Sequence, residues 1–159
     1  MNRKILVSLI FLVVLSVSLF FAHRYYTKPS ISVNQSLFYQ QIGYSQLQED
    51  IKSSLDVQAY FLCEAGSDCD YVSFTLMKPI LNKYQIPYFT TVKFVDMNDV
   101  SRQVSSTRLK ELYNIQGVPA LILIDTSNSS VIATLEYSKS APLTQEMIEE
   151  WLLTYNLIR

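Results

Sequence analysis

Between residues 57 and 125, three apolar runs of strand length are separated by two stretches of helical periodicity. VQAYFLC (57–63), YFTTVKFVDM (88–97) and ALILID (120–125) are the runs. Such runs, rich in β-branched and aromatic residues and bounded by polar loops, fit strands covered on both faces. Between the first two, Val72, Leu76, Ile80 and Tyr84 recur every four residues. This spacing predicts a helix, capped by Asp68 with Asp70 in its first turn and kinked by Pro79. Between the second and third, Asp99 to Asn114 is expected to be helical, with Leu109 and Leu112 facing inward.

The flanks extend the alternation. SLFYQQI (36–42) has the character of a short strand ended by Gly43. SQLQ, from Ser45, is a capping-box sequence opening a helix over 46–54. SNSS (127–130) is a turn, and VIATLEY (131–137) is the returning strand of a hairpin. Thr144 caps a last helix to about residue 156, whose apolar face is Met147, Ile148, Trp151, Leu152 and Tyr155. The order β-α-β-α-β-α-β-β-α predicts an α/β domain: a central mixed sheet flanked by helices on both faces. There is no internal repeat or low-complexity segment.

The chain has 159 residues, and its hydrophobic content is concentrated at one end. Residues 5–22, ILVSLIFLVVLSVSLFFA, carry no charge and follow Arg3 and Lys4. Eighteen helical residues span about 27 Å, close to a bilayer core of about 30 Å. The run is longer than a signal-peptide core, and a cut after Ala22 would put Phe20 where a small residue is wanted. The expectation is one uncleaved transmembrane helix over residues 1–22, a polar tether over 23–35, and a domain over 36–159. The short amino-terminal tail places the domain outside the cytoplasm, at the cell membrane. After residue 28 the chain holds nine basic and fourteen acidic residues, net −5. With no basic patch, nucleic acid is excluded as an expected partner.

The only cysteines are Cys63 and Cys69, in FLCEAGSDCDYV. Three readings stand: a redox-active Cys-x5-Cys pair, a structural disulfide, or two free thiols. An exported chain with two cysteines this close disfavours the third. No metal site is expected. Two cysteines do not make a structural zinc site, and the single histidine, His23, lies in the tether. Glu64, Asp68 and Asp70 read as capping and solvated acids. No cofactor is called for. Tyr71 and Tyr88 are aromatics considered for a groove border, without assignment.

The order of elements resembles the thioredoxin fold. VQAYFLCEAGSDC resembles the central strand and the loop into the redox helix, VKFVDMND the next strand, and LYNIQGVPALILID the segment bearing the family's cis-proline. Together they cover about residues 36–159. The resemblance implies a cis Val118–Pro119 bond whose backbone holds a bound peptide. It also implies thiol–disulfide chemistry at Cys69 and Cys63 on exported proteins or peptides. In layout the chain is similar to small thioredoxin-like proteins that accompany bacteriocin export. It departs from the family at Gly66-Ser67-Asp68-Cys69: the nucleophile of Cys-x-x-Cys is a glycine, and Cys63 lies three residues too early. The family's buried acid on the central strand is also missing, with Tyr60 or Gln58 in its place. Two functions follow. One is a membrane-anchored oxidoreductase using the atypical pair. The other is a non-catalytic peptide-binding or protein-binding module with a structural disulfide.

Overall fold

A five-stranded mixed sheet carries the domain, with strand order β1-β3-β2-β4-β5. The computed structural model describes residues 37–98 and 104–159. The strands are β1 (Gln41–Gly43), β2 (Val57–Cys63), β3 (Val92–Asp96), β4 (Ala120–Asp125) and β5 (Ser130–Glu136). β3 runs parallel to both β1 and β2, whereas β4 is antiparallel to β2 and to β5. The helices are α1 (Tyr44–Ser53), α2 (Ser67–Asp70), α3 (Lys78–Tyr84), α4 (Ser106–Tyr113) and α5 (Gln145–Thr154). A π-helical segment, Tyr71–Met77, joins α2 to α3 in one long helix.

Alternation along β2 builds a core on each side of the sheet. Ala59, Phe61 and Cys63 join one apolar cluster with Cys69, Val72, Leu76 and Ile80 of the long helix and Ile148, Trp151 and Leu152 of α5. Tyr60 and Leu62 join the other, with Tyr44 and Leu47 of α1 and Leu109 and Tyr113 of α4. Phe61 stacks on Phe38 at 5.5 Å between ring centroids, and Phe38 also meets Phe89 and Phe94. Burying one such ring contributes about 2–3 kcal/mol.

Several boundaries differ from the sequence reading. The first strand is three residues, not seven, because Phe38 makes only an isolated bridge to Phe89. Gly43 caps α1 rather than merely ending a strand: its N–H donates to Gln46 Oε1 at 3.1 Å, so the working capping partner lies two residues before Gln48. The long helix opens at Ser67 with Gly66 at its cap, not Asp68. Pro79 sits near the start of α3, and the turn before it is widened, with Lys78 N–H donating to Ser73 O, five residues back. A π-type turn gives the proline ring room that regular α geometry denies it. Met147 is exposed, leaving Ile148, Trp151 and Leu152 as the buried face of α5.

The expected membrane helix over 5–22 lies outside the described residues, as do residues 99–103 of the expected third helix. Among the described residues no helix is long and apolar enough to cross a membrane.

Candidate functional site

The site lies where β2 and β3 end and the long helix begins. Cys63 closes β2 opposite Asp96 of β3, and its carbonyl accepts the Met97 N–H at 2.9 Å. The loop that follows is pinned to the same strand end. Ala65 N–H donates to Asn98 Oδ1 at 2.9 Å, and Asn98 N–H donates to Asp96 Oδ1 at 2.9 Å. The helix then brings Cys69 back over Cys63. The two form a disulfide across a Cα–Cα distance of 5.8 Å, inside the bridgeable range. Their relative exposures are 0% and 1%. An attacking thiolate has to reach one of the two sulfurs, so burial of both removes the approach that exchange needs.

Gly66, at the position of the missing nucleophile, is exposed. Its φ of 162° is extended backbone that any residue adopts, and a Cβ there would meet nothing within 4 Å. Glycine is therefore not required by the backbone at this position.

Val118–Pro119 is a cis peptide. β2 and β4 pair up to Leu62 opposite Ala120, so one further step sets Pro119 beside Cys63. The Pro119 carbonyl accepts Tyr137 N–H at 3.0 Å. Among the described residues, no partner takes the N–H or C=O of Val118. Gln116 N–H donates to Glu136 Oε2 at 2.9 Å, which ties the preceding loop to the end of β5. Tyr71 packs against Tyr137 with ring centroids 5.8 Å apart. Lys139 reaches Asp68 at 4.0 Å, an exposed pair worth little in stability.

All four sequence-assigned residues (Cys63, Cys69, Val118 and Pro119) therefore meet at one end of the sheet, joined by Tyr71. Tyr88 does not; it stacks on Tyr39 at the opposite end, at 5.3 Å. Tyr137 and Glu136 escaped the sequence reading, because only the β4–β5 register brings the end of β5 to the proline loop. Glu64, Asp68 and Asp70 do not converge on a metal: among the described residues no group of three or more His, Cys, Asp or Glu could hold one.

On the face of the sheet opposite the disulfide, Tyr60 stands mid-strand in β2. Its hydroxyl donates to Asp50 Oδ2 at 3.1 Å, and Lys93 Nζ donates to the same oxygen at 2.5 Å. Asp50 belongs to α1, so this contact ties α1 to β2 and β3. Burial first, and then the Asp50 charge, push the Tyr60 hydroxyl far above the usual phenol range. Burial, followed by a hydrogen bond with Tyr44, does the same to Tyr113.

A raised folded-state pKa means that the folded protein holds these protons after the unfolded chain releases them. Their contribution to stability is fully present below about pH 10 and is lost as pH rises past it. Two such groups steepen the alkaline decline by about 2.7 kcal/mol per pH unit. Urea unfolding between pH 9 and 11 should show this decline, with Tyr60→Phe removing about half of that slope. An unchanged slope would show that Tyr60 ionises freely in the folded state.

No protein-family model matches the chain, and no curated protein matches it either.

Proposed function

We propose that the chain is a membrane-anchored, thioredoxin-like binding module that holds an extended segment of an exported protein or peptide at Val118–Pro119, with Cys63–Cys69 as a structural disulfide. The carrying observation is the pairing of an unpartnered Val118 backbone with two fully buried sulfurs at one end of the sheet. A free N–H and C=O beside strand ends can pair with an extended peptide. The strand order 1-3-2-4-5 and the cis-proline support the thioredoxin-like reading. The charge-free run over 5–22 supports the anchor, and the disulfide fits an oxidising compartment outside the cytoplasm. The competing oxidoreductase reading rests on the same cysteines, but neither sulfur is open to a substrate thiol.

The test is to select binders to the full chain from a random peptide display library and follow amide exchange. Bound peptides should protect the Val118 amide. N-methylation of the peptide bond facing it should weaken binding about tenfold, the worth of one hydrogen bond. Reduction of a disulfide-bonded model peptide by the wild-type dithiol, faster than by glutathione, would replace this reading with the oxidoreductase one.

A further inference from the structure

The sheet end opposite the disulfide exposes apolar and aromatic side chains that the binding site does not use. Tyr39 is 65% exposed, Leu55 83%, Val57 53% and Tyr88 38%. Leu55 and Val57 lead into β2, while Tyr39 and Tyr88 precede β1 and β3. The β2–β3 ladder ends at Ala59 opposite Val92, and Val57 and Leu55 run beyond it toward the end of the sheet that holds Tyr88. β1 and β2 flank β3, so the tyrosine pair and the aliphatic pair share one end of the sheet. A cleft of about 450 Å³ opens at the same end, walled in part by Pro87, Tyr88 and Leu157. Lys52 at the end of α1, Arg159 at the cleft, Asp56 before β2 and Asp125 opposite Val57 leave this end with mixed charge.

This is also the end at which the chain enters the domain, at Leu37 and Phe38. Fourteen residues separate it from the charge-free run over 5–22. A chain of that length spans at most about 50 Å whatever its conformation. A weakly adhesive surface held that close to a bilayer meets it at high effective concentration. Tyrosines with one apolar and one polar end are the residues that settle at the lipid headgroup level.

We propose that the Tyr39–Tyr88–Leu55–Val57 surface docks onto the lipid headgroup region of the membrane. The inference rests on the anchor reading of residues 5–22. Docking turns the Cys63–Val118 end outward, about 20 Å from the lipid along the strands, where an exported segment reaches it. Mixed charge at the surface makes apolar insertion the driving contact, so neutral and anionic bilayers bind alike.

The test uses the full chain in phosphatidylcholine vesicles, with and without phosphatidylglycerol, containing a lipid with a photoreactive diazirine near the headgroup. After irradiation, adducts are located by mass spectrometry. They should fall on peptides holding Tyr39, Leu55–Val57 and Tyr88 in both vesicle types, as well as on 5–22. Leu55→Asn with Val57→Asn should lower the adducts at this surface about tenfold and leave those on 5–22 unchanged. Adducts on 5–22 with none at the surface, or adducts around Tyr71 and Tyr137 instead, each overturn the docking and leave the anchor standing. Surface adducts with none on 5–22 keep the docking and overturn the anchor. Adducts at neither place overturn both.

Discussion

Replacing Cys63 and Cys69 together by alanine is expected to lower folding stability by about 2 kcal/mol while leaving peptide capture intact. The disulfide spans a sequence separation of six, and closing so short a loop removes about that much free energy from the unfolded ensemble. For a domain of this size the melting temperature should fall by roughly 8 °C. Urea unfolding of wild type and double variant measures the loss directly. The same burial makes the bond hard to reduce, so across a glutathione series it should stay oxidised to below about −300 mV, the range of structural disulfides. A folded double variant that no longer binds the selected peptides would make the disulfide part of the site rather than its support. A bond that titrates between roughly −120 and −270 mV would return the pair to redox chemistry.

What the sequence discloses here follows from which forces act locally. VQAYFLC reads to the residue as β2, because a strand buried on both faces is one apolar run with polar loops at each end. SLFYQQI has the same apolar character yet yields only a three-residue strand. Pairing to β3, not residue type, sets its length, and Phe38 spends its side chain in the aromatic cluster. At α1 the residues offer a capping box at Ser45 with Gln48, yet the chain starts the helix at Gly43, whose N–H donates to Gln46. Met147 shares the helical spacing of its apolar neighbours, but its side of α5 stays exposed among the described residues.

The site shows the same division. The proline loop and the two cysteines carry local sequence signals. Tyr137 beside Tyr71 carries none, nor does the Asp50–Tyr60 contact on the other face of the sheet, because both join residues from separate elements. Whether the two cysteines pair or stay free was likewise closed to the sequence, since their approach is a property of the assembled core.

Gly66→Cys combined with Cys63→Ala is expected to give the domain a thiol–disulfide exchange activity beyond that of the wild type. The substitution rebuilds the two-residue spacing to Cys69 at the start of the long helix and removes the competing partner. The backbone accepts it: φ is extended, and the new Cβ meets no atom within 4 Å. Replacing glycine there also restricts the unfolded chain, so stability should not fall on that account. A thiol at a helix N-terminus is more acidic than the usual value of about 8.5. If it reached about 7, its thiolate fraction at neutral pH would rise roughly fifteenfold. Asp68 and Asp70 work against this, because a nearby negative charge disfavours the thiolate. Alkylation about tenfold faster than that of a free cysteine is therefore expected, rising further with Asp68→Asn. Equally decisive is whether the introduced thiol oxidises reversibly with Cys69 in a glutathione series. Alkylation at the rate of a free cysteine, with no bond to Cys69, would show that this helix start does not activate a thiol, and that the absence of exchange chemistry does not trace to Gly66. Fast alkylation with a reversible bond would locate the capacity of this fold for thiol–disulfide exchange in one exposed position.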